Sequence, residues 1–384
     1  MEMNNTPETL AAIQRLAQQI EEQHQDLLKH FGRMKAHVAY TLALGEVQAN
    51  ADIQPTAPTA PKPPILSETV GAANRGHFWK AARGPLFKKT GLNTLATAMD
   101  FCVESGGKVF SFRAGHDLAA IDAAPGSDLE IWITPSGQLV CHTHPKQVAN
   151  DSRKIGGFHF APGGNATARS GGDTTPQINE FSMWDLKFRP ACSNPRGMTL
   201  VAGAFWADIY LLAADHLQGT SVFASQIADR LSPAKRPLSF DGDGQAVYDG
   251  LNWWDAQEVL ASHGKRLPNH QEFSALSYGT TEKKSAESDP CTNILRAPFT
   301  SKWGVMLATG NLWTWGAHLA GQKYQEGQTD GRGTAYSSQN AVLFGGGWND
   351  GAYSGSRCSG WGDSPTSSVN SISARGVCDH LNLD

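Results

Sequence analysis

The stretch 345–373 limits what this chain can fold into more than any other part of it. More than half of its residues are Gly or Ser, yet Trp348, Arg357 and Trp361 punctuate it, and Lys, Glu, Gln, Met, Leu, Phe and His are absent. A hydrophobic core is not built from such residues, and a flexible linker has no use for two large aromatic side chains. The combination predicts a rigid frame that presents small side chains at exposed points. Ser, Gly, Asn, Asp and Tyr are also the residues of adaptable binding loops, because they make contacts and hydrogen bonds at low entropic cost. A low-complexity tail is a poorer reading, since ARGVCDHLNLD (374–384) follows with Val377, Leu381 and Leu383 available for burial.

The rest of the composition sets wider bounds. A chain of 384 residues has room for two or three domains, and 40% hydrophobic against 18% charged residues supports a sizeable core. A net charge of −4 gives no electrostatic case for nucleic acid. Forty glycines and eleven tryptophans point to a loop-rich protein organised around aromatic anchors. The six cysteines (Cys102, Cys141, Cys192, Cys291, Cys358 and Cys378) are scattered without a CxxC pair, so they read as free thiols, not as a zinc site. MEMNNTPETL does not read as a secretory signal, and no run approaches the roughly 20 apolar residues of a membrane span. Membrane insertion is therefore not expected. Action outside the cell then implies carriage on a virion or release by lysis.

Along the chain, residues 1–48 read as a helix. Thr6 serves as its cap, Pro7 suits its first position, and a 3–4 spacing runs from Leu10 through Ile13, Ala17, Ile20 and Leu27 to Phe31 and Val38. That face fits a short oligomeric coiled coil or packing on the same chain. Residues 49–66 form a Pro-rich linker. Residues 67–169 read as a small β-sandwich-like domain, with β-like runs KVFSFRAG (108–115), LEIWITPSGQLVCH (129–142) and GGFHFAPG (156–163). In residues 170–384, DAQEVLASHG (255–264) reads as a helix ended by Gly264, and short strands separated by Gly-rich loops follow Thr300.

Chemistry finds little support. His142 and His144 in CHTHP would share one strand face, best read as a hairpin edge. Asp241 and Asp243 in FDGDGQ start a calcium-loop pattern without its closing acidic ligand, which leaves a plain turn. There is no GxSxG, Walker loop or GxGxxG after a strand. No catalytic residue, metal site or cofactor is expected.

The segments KIGGFHFAPGGNA (154–166), INEFSMWDLKFRP (178–190), PRGMTLVAGAFWADIYLL (195–212), HGKRLPNHQEFSAL (263–276), LWTWG (312–316), LFGGGWN (343–349) and ARGVCDHL (374–381) carry a resemblance. Over roughly 108–384 the chain resembles the major tropism determinants, the receptor-binding proteins of Bordetella phage that a retroelement diversifies. The resemblance implies an α+β chain ending in a C-type-lectin-like domain (170–384) of the formylglycine-generating-enzyme-like variant. A small β-domain would precede it, and here an N-terminal helix as well. It also implies a homotrimer on a phage tail fibre, held through the N-terminal region and gripping a host-cell surface receptor. Its variable region would span 343–384.

Carried over residue by residue, the variable positions are Gly347, Asn349, Asp350, Gly351, Tyr353, Gly360, Gly362, Asp363, Ser367, Val369, Ser371 and Ile372. Trp348, Arg357, Trp361 and Arg375 are expected to be scaffold. Codons descended from AAC by adenine-directed errors exclude Lys, Glu, Gln, Met and Trp, and all twelve positions comply. Two alternatives stand beside this one. A cellular retroelement-diversified display protein would share the same surface. An enzyme related to formylglycine-generating or sulfoxide-synthase families would need a reactive cysteine pair or a histidine set in the C-terminal cleft.

Overall fold

The structure is a computed structural model that describes residues 77–144, 150–321, 328–329, 334–335 and 339–383. All of them belong to the unit Glu68–Asp384. The expected helix at 1–48 and the linker at 49–66 lie outside the described residues.

Among the described residues, the first part of the unit contains ten strands. They are β1 (Phe78–Lys80), β2 (Phe87–Lys89), β3 (Leu95–Thr97), β4 (Phe101–Ser105), β5 (Lys108–Phe112), β6 (Ser127–Ile133), β7 (Leu139–Thr143), β8 (Arg153–Ala161), β9 (Gln177–Ile178) and β10 (Trp184–Asp185). One sheet runs β1-β4-β5 and another β10-β8-β6-β7, with β9 also on β8 and a β2-β3 hairpin beside them. The pleat of β6 sends Leu129, Ile131 and Ile133 into a core with Phe87, Phe101, Val103 and Phe158. Glu130, at an alternate position on the same strand, instead meets Lys154 at 3.0 Å and His144 at 3.4 Å. Between β6 and β7 the turn TPSGQ closes with the Thr134 amide donating to the Gln138 carbonyl at 3.0 Å. Gly137 takes φ +84° there, and a Cβ on it would lie 2.5 Å from the Phe110 ring.

The second part begins with β11 (Phe188–Pro190), β12 (Met198–Val201) and β13 (Phe205–Asp208). Two helices follow, α1 (Trp253–Ser262) and α2 (His270–Leu276). The last strands are β14 (Trp313–Gly321), β15 (Gln328–Thr329), β16 (Thr334–Ala335), β17 (Gln339–Phe344), β18 (Ser359–Asp363), β19 (Ile372–Ser373) and β20 (Val377–Asn382). Two four-stranded sheets result, β11-β20-β13-β12 and β18-β17-β14-β19, and β15 pairs with β16. Asn252 and Asn269 start the helices with capping boxes closed by Asp255 and Glu272. In α1, Trp253, Ala256, Val259 and Leu260 are buried at helical spacing. Gly264, at φ +70°, turns the chain out of it.

The expected α+β class is corrected: the described residues form a mainly β protein. Only two α-helices occur among them, ten and seven residues long. The cause lies in the long irregular stretches, whose backbone is satisfied by buried side chains where helices would otherwise do so. Asn293, for example, accepts from the Leu211 amide at 3.1 Å and donates to the Leu211 carbonyl at 2.8 Å. Residues 198–208 fold as the β12-β13 hairpin, whose turn is made by Ala202 and Gly203 at φ +51° and +69°.

Candidate functional site

Beneath the Gly/Ser-rich stretch lies a buried polar frame. Arg375 is fully buried, and its guanidinium donates to the carbonyls of Asp208 and Ile209 at 2.8 Å each and of Met306 at 2.7 Å. Burial pulls its pKa down to about 9 against the charge of Asp208, so it stays protonated near neutrality. The Asp208 carboxylate accepts from Lys265 at 2.5 Å, Thr220 at 2.9 Å and the Gly376 amide at 3.1 Å. Burial disfavours charge on Lys265, but Asp208 outweighs it and raises the lysine pKa. β20 crosses this frame between β11 and β13, with Trp206 opposite Cys378 and Pro190 opposite His380.

On this frame, the segment from 345 to 358 loops out between β17 and β18. The loop is held largely through its backbone. The Glu287 amide donates to the Trp348 carbonyl at 2.8 Å and the Lys283 amide to the Ser354 carbonyl at 3.0 Å. The Gly351 amide reaches Ser285 Oγ at 3.0 Å, and Glu282 accepts from the Ser356 amide and hydroxyl at 3.0 and 2.6 Å. The second loop, 364–371, is tied to the start of α1. There the Trp253 amide donates to the Pro365 carbonyl at 3.0 Å and the Leu251 amide to Ser368 Oγ at 2.9 Å.

The expected variable positions do not share one environment. Asn349, Gly351, Tyr353 and Gly362 are exposed, Tyr353 to 86%. Asp350, Gly360, Asp363, Ser367, Val369 and Ser371 are half-buried. Gly347 is buried, and so is Ile372, at 2%, beside Trp313 across the parallel β14-β19 pairing. The Ile372 side chain therefore belongs to the core and is out of reach of a ligand. Val369 also leans on the same cluster. Asp350 Oδ2 accepts from the Gly347 amide at 2.6 Å. Burial pushes the Asp363 carboxyl above the usual range.

Glycines in this region separate by the space around them. A Cβ on Gly362 would meet nothing within 4 Å, and on Gly360 only Trp313 ring carbons at 3.6 Å. At Gly347 the nearest atom would be Trp313 Cδ1 at 3.3 Å. Gly351 is open as well, but its φ of +55° favours Gly, Asn or Asp. By contrast, a Cβ on Gly345 would strike Phe273 at 2.9 Å, on Gly346 Ser354 Oγ at 2.4 Å, and on Gly355 Glu282 at 2.4 Å. The three crowded glycines are all outside the expected variable set.

Of the expected scaffold, Trp348 packs on Leu211, Ile227, Leu307 and Leu312, and Trp361 stacks on His270 with centroids 5.8 Å apart. Arg357 is exposed, unlike Arg375. Sequence reasoning missed Trp313, which is half-buried with its two ring edges beside Gly347 and Gly360, and Glu282, which fastens the first loop. For Trp313 a usable signal lay in LWTWG, where alternate tryptophans mark one face of a strand. Cys358 is pushed up to about 11 by burial and by Asp350, so its thiol stays protonated at neutral pH and is a poor nucleophile. Among the described residues no group of three or more His, Cys, Asp or Glu is placed to hold a metal ion.

Residues 85–185 match the family described as the Mtd second domain. The chain is 44% identical over 325 residues to the tail fiber receptor-binding protein of Bordetella phage BPP-1, a match covering 80% of this chain and 85% of that protein. Among solved structures it is similar to the Major Tropism Determinant I1 and M1 variants, with TM-scores of 0.76 and 0.77. Identity is 44% in both, covering 80% of this chain and 86% of each of theirs. The chain belongs to the Major Tropism Determinant family of tail-fibre receptor-binding proteins.

Proposed function

We infer that this protein is a phage tail-fibre adhesin that grips a receptor on the host-cell surface and so determines host tropism. Family membership carries the general reading. The finer one, that the grip lies in the ledge of small side chains between residues 347 and 371, is supported by the glycine geometry. Gly360 and Gly362, open to a new side chain, are expected to vary, and the crowded Gly345, Gly346 and Gly355 are expected to stay fixed, while Gly347, tight against Trp313, departs from that pattern. Recognition can then change while the backbone anchors at Glu282, Ser285, Lys283 and Leu251 stay in place. Ile372, being core, drops out of the contact set. The phage source of the matched relative favours a virion part over a cellular display protein. The protonated Cys358 favours binding over cysteine-based catalysis.

In this variant Tyr353 is the one exposed aromatic side chain of the ledge, with the exposed Arg357 in the same loop and Trp313 as an aromatic floor. Affinity per copy is then modest, since aromatic and Arg anchors dominate binding energy. A homotrimer, repeated on several fibres, would compensate through effective concentration. Rewriting of the ledge codons by a retroelement would leave a near-copy of codons 343–384 in the neighbouring DNA, differing at template adenines.

Adsorption tests the reading. Fluorescently labelled protein is expected to coat cells of the strain that the parent phage infects and to block plaque formation in competition. Absence of both would sink it.

A further inference from the structure

We propose that Cys192 and Cys378 form an oxidation site, two thiols positioned to close into a disulfide that staples the C-terminal strand β20 to the segment after β11. All six cysteines are free thiols in this structure. The β11-β20 ladder pairs Pro190 with His380, and the Ala191 amide continues it by donating to the Asp379 carbonyl at 2.9 Å. One step further, Cys192 stands across from Cys378. Next to a hydrogen-bonded pair, such a position brings the two Cα atoms to about 4.5 Å, inside the range a disulfide spans. Side-chain contacts agree. Both sulfurs converge on Met198 Sδ, at 3.6 Å from Cys192 and 4.0 Å from Cys378. Both pack in one cluster with Trp184, Phe188 and Trp206.

The chemistry requires an oxidant, and a low-molecular-weight disulfide serves. The Cys192 thiolate attacks one of its sulfurs, forming a mixed disulfide and expelling one thiolate. Cys378 then gives up its proton and attacks the Cys192 sulfur, expelling the second thiol. Two protein thiols are oxidised to one disulfide, and the small disulfide is reduced to two thiols. Cys192 is the better first attacker, because the Cys378 thiol and the nearby Lys265 and Arg189 favour its thiolate against burial, whereas Cys378 is shifted the other way. A tail-fibre protein meets both conditions in turn, a reducing cytoplasm during synthesis and an oxidising exterior when it acts. The staple would add cross-linking to the strand that follows Arg375.

The test uses the full-length protein purified under reducing conditions and incubated with oxidised glutathione. Remaining thiols are then alkylated, and the non-reduced digest is read by mass spectrometry. The expected result is a Cys192–Cys378 cross-linked peptide and loss of these two thiols from the reactive count. A rise in Tm of roughly 5 °C is also expected. That rise should vanish in Cys192→Ser and in Cys378→Ser but persist in Cys141→Ser. Three outcomes would overturn the proposal: both thiols still free after prolonged oxidation, a glutathione adduct at Cys192 that never resolves, or a cross-link joining other cysteines. The wild-type peptide map decides the matter even if a serine variant fails to fold.

Discussion

The ledge at 347–371 and the frame beneath it are made from opposite kinds of side chain. In the frame, the large polar groups are all engaged inside the fold, and Arg375, Asp208, Lys265 and Thr220 bind one another or buried carbonyls. In the ledge, the backbone does most of the holding, and the side chains of Asn349, Tyr353 and Ser359 point to solvent. The difference separates the groups that hold the domain from the side chains it exposes. Fixing the main chain separates the loop's shape from the identity of its outward side chains.

The strongest challenge to that division is Asp208→Ala. Removing the carboxylate strands a buried Lys265 cation, and a loss of about 3–5 kcal/mol is expected. Urea unfolding measures it, and a loss below about 1 kcal/mol would mean the frame is not the rigid half. Acid probes the frame's edge next. His216 and His263 share a 2.9 Å hydrogen bond, and burial, with His216 and Lys265 adding to it, depresses His263 from 6.5 to about 4. The folded state thus binds fewer protons than the unfolded chain between these values. Stability fully present above pH 6.5 falls as pH drops toward 4, by about 2–3 kcal/mol from His263. Urea midpoints at pH 7.5 and 4.5 should differ accordingly, and His263→Asn should flatten that slope.

Within the ledge itself, two glycines should part company. Gly346→Ala, at φ +84° and against Ser354, is expected to cost about 1–3 kcal/mol, whereas Gly362→Ala should stay within about 0.5 kcal/mol. Equal costs would break the link between open space and variability. Smallest of all in stability is Tyr353→Ala, within about 0.5 kcal/mol, yet cell binding should drop at least several-fold. A variant that binds undiminished would move the contact surface away from this loop.

Local signals were legible where one short segment decides its own structure. Gly264 marked the end of α1, LEIWITPSGQLVCH the β-structure of β6 and β7, and FDGDGQ a turn in which Asp243 Oδ1 accepts from the Gln245 and Ala246 amides. The α+β class was misread because helix signals count local periodicity, whereas the irregular segments here are held by distant partners such as Asn293 and Arg375. Ile372 shows the same limit at the site. Its codon class suits a variable position, but the parallel pairing with Trp313, far away in sequence, puts it in the core. Trp313 was overlooked for a related reason, since only the fold brings Gly347 and Gly360 to its ring edges.

The last strand has a consequence for how the protein is made. β20 lies inside its sheet, between β11 and β13, so that sheet closes only after Val377–Asn382 has left the ribosome. Pairings this remote in sequence form late and slowly. A frameshift or stop codon arising anywhere upstream in the ledge removes the strand that completes the fold. Chains truncated or frameshifted there lack the strand between β11 and β13 and are left unfolded, so a folded chain has been read through at least to β20.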